Sequence, residues 1–434
     1  MEFGIWGFIN CSIVNIRSPV KWITLLSFQT TIWNPQLAVW CLWIPAFAGM
    51  TNSVILLLLK ISSMIYEKIL RPILFLLTDP ENIHHWVVKA LRIVSLQKPI
   101  YNILHKFLAS DDPRLITKLG SLELGSPVGL AAGFDREFEA PLAYAMLGFS
   151  FAEFGSVSYA AQGGNPRPRL WRIPKDKGLI VFYGLENKGA AYLADAMSKL
   201  PSHPIPYGVS ITPTNGTTVE KASENYIQSL LEVHKFCDYI TLNLGCPSVA
   251  SCSSFSQVYF VEELIGIIAS TLKKHHINKD IFLKIGPDYN PEELATIVAT
   301  CLEHNITGII ATNLIKFRDA LPFRSSAVEL SHPGGISGQM LQRQSDAVIK
   351  QIYQQSQGRL KIIGVGGVFT AEDAYRKIKL GASAIQIFTG FIYGGPLIVR
   401  KINNGLTKLL ERDGFKNISE AVGQDAHLAA KPIV

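Results

Sequence analysis

Residues 361–396 read KIIGVGGVFTAEDAYRKIKLGASAIQIFTGFIYGGP, and the fold turns on them. KIIGVGG (361–367) is a near-continuous apolar run that stops at Gly366-Gly367. FTAEDAYRKI then starts a helix, and AIQIF (384–388) is a second buried-type run that stops at Thr389-Gly390. Strand, glycine turn, helix, strand is a parallel crossover unit, with each strand covered on both faces. Working back along the chain, the same alternation recurs at SPVGLAA (126–132), FAEFGSV (151–157), YGVSI (207–211), YITLNL (239–244), IFLKI (281–285) and GIIAT (308–312). Helix-like segments such as 261–275 and 291–304 lie between most of these runs. Eight such runs predict an α/β protein, a closed (β/α)₈ TIM barrel over residues 113–415. An open doubly wound sheet is the alternative. It is weakened because no GxGxxG opens a helix after the first strand.

In a parallel barrel the chemistry sits at the carboxyl ends of the strands. Those ends read AAGFDR, FGSVS, VSIT, NLGC, KIGPD, ATN, GVGG and FTG. Most carry glycine, hydroxyl or polar residues where a buried strand would stay apolar. Gly366-Gly367 and Thr389-Gly390, each close to a helix start, predict an anion site of backbone N–H groups after the seventh and eighth strands. Gly334-Gly335-Ile336-Ser337-Gly338 reads as a further flexible loop. Lys284 ends the fifth run inside an apolar context. An unpaired buried ammonium is costly, so it must be paired or face a ligand. Asn243 and Asn313 end the fourth and sixth runs and offer donor–acceptor amides suited to a pyrimidine or flavin edge. Cys246, in TLNLGCPSVA (241–250), is a core thiol, a redox cysteine or an acid–base group.

The chain has 434 residues, 48% hydrophobic and 17% charged, enough apolar material for one large core and too few charges for a disordered protein. Six cysteines show no CxxC pair and no ligand-like spacing with histidine, which argues against a disulfide framework or a zinc site. A net charge of +7 without a dense basic block suits anionic ligands or membrane surfaces and gives no case for nucleic acid.

The first 63 residues differ from the rest. Five of the seven Trp fall there, and Glu2 is the sole acidic residue before Glu67. Pro35, Pro45 and Lys60 break the apolar stretches short of the ~20 residues a membrane-spanning helix needs. The segment fits a leader, an interaction segment, or an over-extended start with Met64 as the natural beginning. The last is preferred, because no consistent period of a folded element is visible. From Met64, MIYEKILRPILFLLTD has helical spacing, and Asp79-Pro80-Glu81 starts a second amphipathic helix with cap, proline and acid in order. Residues 64–112 thus form a helical extension, with faces suited to packing, a membrane interface or an apolar ligand. Residues 416–434 form a tail.

FLLTDPENIHHW, SPVGLAAGFDRE, GNPRPRLWR, LKIGPD, GIIATN, GGISGQ, IIGVGGVFTAEDA and GASAIQIFTGFIYGGP together resemble the dihydroorotate dehydrogenase family. The extension and GFKNISEAVG are similar to its membrane-associated, quinone-dependent class. The resemblance runs from Met64 to about His427. It implies FMN at the barrel mouth, oxidation of dihydroorotate to orotate in pyrimidine biosynthesis, and reoxidation by quinone entering between the amino-terminal helices. It further implies peripheral attachment to a membrane surface, the cytoplasmic face of the inner membrane in a bacterium, and no nucleic-acid partner. Carried over by position, the FMN site comprises Ala132, Gly133, Ser156, Ser210, Asn243, Lys284, Thr312, Gly338, Gly367, Phe388 and Thr389. Cys246 falls on the catalytic base, where the quinone class has serine and the soluble class cysteine. A thiol is easier to deprotonate than a hydroxyl, so the exchange is chemically sound. Arg136, Asn243, Ser248 and Asn313 fall on the substrate side.

The departures gather on that side. Arg136 replaces the family's lysine and Val181 an asparagine. Ser248 and Ser210 replace asparagines, and Leu314 replaces a threonine. Two alternatives follow. NLGCP also resembles the cysteine loop of tRNA dihydrouridine synthases, although no basic carboxy-terminal RNA module follows it. The chain also fits a flavin-binding homologue without turnover.

Overall fold

The computed structural model describes residues 64–200, 202–244, 255–316, 318, 321 and 323–427, with the backbone of two strands nearer the amino terminus. Contacts divide the chain into two units, Met1–Met64 and Ile65–Val434. In the first, Cys11–Arg17 and Trp22–Phe28 pair antiparallel from Cys11↔Phe28 to Arg17↔Trp22. The sequence reading found no folded element there. WITLLSF lacks the strict alternation that marks a half-buried strand.

The second unit opens with a helical turn at Tyr66–Leu70 that runs into α1 (Arg71–Leu77), followed by α2 (Pro80–Ser95) and α3 (Lys98–Leu108). Asp79 caps α2 as its sequence predicts. Its Oδ1 accepts from the backbone N–H of Glu81 at 3.0 Å and of Asn82 at 3.1 Å, and Pro80 needs no partner. Glu81 is buried and meets Arg169 at 2.7 Å and Arg167 at 3.0 Å, fastening α2 to a loop of the barrel. The outer faces of these helices keep Ile73, Leu76, Trp86, Ile93 and Leu96 exposed, Leu76 to 85%.

The barrel comprises β1 (Val128–Leu130), β2 (Ala152–Val157), β3 (Tyr207–Ile211), β4 (Tyr239–Asn243), β5 (Asp280–Ile285), β6 (Gly308–Ala311), β7 (Lys361–Val365) and β8 (Ala384–Ile387). The strands pair in parallel in chain order, and β8 closes onto β1 through Ile385↔Val128. The eight runs read from sequence coincide with these strands. Crossover helices follow where polar caps start them. Asn290 and Glu293 exchange hydrogen bonds ahead of Pro291–Glu303, as do Thr370 and Asp373 ahead of Ala371–Lys379.

Two small sheets close the barrel's ends. A hairpin of Thr117–Leu119 with Leu122–Leu124 sends Leu119 and Leu124 into a cluster with Phe151, Tyr239, Phe282, Ile310 and Ile363. Leu170–Ile173, Gly178–Val181 and Gly335–Gly338 form an antiparallel sheet over a second cluster of Ile173, Ile180, Ile315, Ile336 and Leu341. The 334–338 segment is therefore an ordered strand, not a flexible loop. Ile336 anchors it, and its pairing partner lies far back in the chain, where local pattern carries no signal.

Candidate functional site

The carboxyl ends of the strands converge on one cleft of about 1020 Å³, its open mouth included. Ala132 and Gly133 follow β1, Ser156 lies near the end of β2, and Asn243 ends β4. Lys284 lies near the end of β5, Thr312 and Asn313 follow β6, and Gly366-Gly367 follow β7. Phe388 and Thr389 follow β8, and Gly338 comes in from the upper sheet. Parallel register sets Asn243 beside Lys284. Lys284 is 6% exposed, and among the described residues no carboxylate forms an ion pair with it. A buried ammonium without an anion is an arrangement that a charged or electron-rich ligand completes.

A chain of hydrogen bonds crosses the floor. Ser210 Oγ and Ser156 Oγ lie 2.7 Å apart, Asn243 Nδ2 donates to Ser156 Oγ at 2.7 Å, and Asn313 Nδ2 donates to Asn243 Oδ1 at 3.0 Å. Both amides are thereby fixed in rotamer and orientation. Ser210 is a departure from expectation. It does not line the cleft but supports Ser156 from behind.

The turns after β7 and β8 face the same space. Gly367 has φ +69°, and a Cβ there would come within 2.5 Å of Gln342 Cβ. A side chain at Gly390 would strike the Val368 carbonyl. Both positions thus require glycine and leave backbone N–H groups open to an anion. Gln342 Nε2 donates to the Gly367 carbonyl at 2.7 Å and holds the turn, while Ser337 Oγ and Thr389 Oγ1 pair at 2.8 Å. Thr312 Oγ1 is buried with no hydrogen-bond partner among the described residues. An orphan hydroxyl, a buried cation and a glycine cradle in one cleft fit a ligand with a phosphate and a polar ring edge, as FMN has.

The substrate-side positions are mixed. Arg136 and Asn313 line the cleft, together with apolar Val181, Leu185 and Leu314. The Arg136 guanidinium lies 4.3 Å from the Tyr183 ring centroid, and its Nη2 donates to Glu186 Oε2 at 3.0 Å. Cys246 and Ser248 lie outside the described residues. Of the other cysteines, Cys237 and Cys301 are buried, and burial pushes both thiols up to about 12, which suits core packing and not proton transfer at neutral pH. Tyr183 and Gln386, which the sequence does not single out, line the cleft, as does Ser337 of the glycine-rich segment. Gln386 was detectable as a polar residue inside the apolar AIQIF run, the same signal that marked Lys284.

From the other side, His84 of α2 donates through Nε2 to the Phe134 carbonyl at 2.7 Å. Its ring meets Phe134 edge-on at 4.8 Å, and Phe134 reaches Phe388 at 5.6 Å. Burial, reinforced by the Arg136 charge, pushes His84 down to about 4, so it is neutral at pH 7.

A closed parallel barrel with its polar residues, cation and glycine turns gathered at the carboxyl mouth defines a (β/α)₈ protein of the enzyme type. A sequence profile described as dihydroorotate dehydrogenase matches residues 114–410. The dihydroorotate dehydrogenase (quinone) of Trichodesmium erythraeum is 38% identical over 374 residues, which cover 83% of this chain and 98% of that one. The enzyme of the same name from Nostoc punctiforme is 38% identical over 370 residues, with the same coverage. Among solved structures, dihydroorotate dehydrogenase from Eimeria tenella in complex with ferulenol superposes with a TM-score of 0.72 at 29% identity, covering 80% of this chain and 96% of that one. The chain belongs to the dihydroorotate dehydrogenase family.

Proposed function

We propose that this protein oxidises dihydroorotate to orotate in pyrimidine biosynthesis, with FMN as its resident cofactor and quinone as the final electron acceptor. The convergence of Lys284, the Asn243–Asn313 pair and the Gly366-Gly367 turn in one cleft of a family member carries the reading. FMN would supply the hydride acceptor. Gly367, Thr389 and the neighbouring turn would hold its phosphate. Ala132, Gly133, Ser156, Thr312, Gly338 and Phe388 would enclose its ring and ribityl chain, with Ser210 behind Ser156.

The chain's own groups then divide the work. Lys284 offers positive charge to the electron-rich edge of the ring system. Asn243 and Asn313, prefixed by their mutual hydrogen bond, present amides to the pyrimidine, and Arg136 and Ser248 complete the substrate side. Cys246 takes the C5 proton on its Sγ as the C6 hydride departs.

Residues 64–112 serve as the quinone and membrane side, and 113–415 as the catalytic barrel. No helix among the described residues is long and apolar enough to cross a membrane, and the exposed apolar faces of α1 and α2 suit peripheral attachment. Dihydroorotate-dependent reduction of a soluble quinone by the purified protein tests the reading. Turnover supports it. Flavin reduction by NADPH alone, with tRNA as acceptor, would replace it with the dihydrouridine-type activity.

A further inference from the structure

Arg136 does not meet the cleft as a free cation. Its side chain is 15% exposed and pairs with Glu186 Oε2 at 3.0 Å, and the same oxygen takes Arg169 Nη2 at 2.7 Å. Arg169, 3% exposed, in turn holds Glu81 of α2. Glu186 is itself 31% exposed, so solvent screens these pairs in part, though less than it screens a surface pair. Burial alone would raise the Glu186 carboxyl. The Arg169 hydrogen bond and the charges of Arg136 and Arg169 outweigh it and hold the group low, so Glu186 is an anion at neutral pH.

Position matters as much as charge. Arg136 borders both the cleft and a second cavity, lined among others by His85, Lys89, Arg92 and Lys188, whereas Glu186 borders the second cavity alone. Glu186 therefore occupies a donor edge of the guanidinium from the outer side. A bidentate grip on a ligand carboxylate would compete for that guanidinium. Val181, Leu185 and Leu314 line the same cleft and carry no charge, and the other cation on it, Lys284, lies near the end of β5.

We propose that Glu186 sets the charge of the substrate this site accepts: by pairing with Arg136 it weakens the hold on a substrate carboxylate, so uncharged relatives of the same ring bind nearly as well. The inference rests on the dihydroorotate reading above and deepens it.

Calorimetric titration of the purified flavoprotein compares orotate with uracil, the same ring without the carboxylate. In Glu186→Gln, which keeps size and an acceptor for Arg169, orotate tightens about tenfold while uracil does not change, the scale expected when a competing sheltered charge is removed. Adding Arg136→Gln erases the gain. Orotate and uracil moving together, or a gain that survives Arg136→Gln, overturns the proposal.

The unmodified protein supplies a test free of folding effects. Its KM for dihydroorotate and for the methyl ester should agree within about threefold, against the roughly hundredfold or greater preference that an uncontested buried charge pair gives. A protein that reduces its flavin with dihydroorotate yet strongly prefers the acid contradicts the role of Glu186 alone. One that takes neither compound contradicts the functional reading beneath it.

Discussion

Asn243 and Lys284 stand side by side in register across β4 and β5, and three residues beyond Asn243 the chain reaches Cys246. Replacing Cys246 by alanine should leave the flavin content unchanged and lower turnover by roughly 10²-fold or more, the usual size of a general-base contribution. Cys246→Ser should retain part of the activity, with the acidic limb of its pH–rate profile moved to higher pH, because a hydroxyl gives up its proton less readily than a thiol. Unchanged turnover in Cys246→Ala would remove the residue from the chemistry.

His84 offers a separate check through stability. Its folded pKa of about 4 lies below the ordinary value near 6.5, so between these limits the unfolded chain binds a proton that the folded chain refuses. The contribution is complete above about pH 6.5 and is lost as pH falls toward 4. The melting temperature of the native protein should therefore drop more between pH 7 and pH 5 than that of His84→Gln. Parallel drops would contradict it. Lys284 was legible as a charge inside an apolar run. Glu186 was not, since its importance depends on Arg136 and Arg169 folding back to meet it.

At the scale of elements, α2 is held by its cap and by a buried ion pair, and the two have different consequences. Asp79→Ala should cost about 1 kcal/mol through loss of the cap. Glu81→Gln should cost about 3 kcal/mol, because Arg169 loses its one fully buried anion and keeps only the partly exposed Glu186. Glu81→Gln should also free α2 for limited proteolysis while the barrel keeps its circular dichroism. Equal protease resistance in both variants would show that α2 is held by its apolar contacts alone. Cap, proline and acid are local signals, so the helix start was readable. The sheet of 170–173, 178–181 and 335–338 was not, because its strands are short and its register comes from distant partners.

For the whole molecule, eight apolar runs with crossover helices announced the barrel, since parallel strands buried on both faces have a composition that few other arrangements produce. Of the eleven residues that the family motifs assign to the cofactor, ten lie in one cleft, with Ser210 one layer behind. The substrate side was less legible, because Val181, Leu185 and Leu314 look like ordinary core residues until the cleft brings them together. A truncated chain that begins at Met64 should keep its flavin, its turnover and its binding to lipid vesicles. Loss of flavin on that truncation would assign residues 1–63 a part in the fold.

In the proposed function this cleft carries electrons from dihydroorotate to a flavin and on to quinone. Anaerobic mixing of the purified protein with dihydroorotate, followed by its visible absorbance, tests this most directly. Bleaching of the flavin bands that added quinone reverses is the predicted result, and a bound flavin that dihydroorotate leaves oxidised would contradict the account.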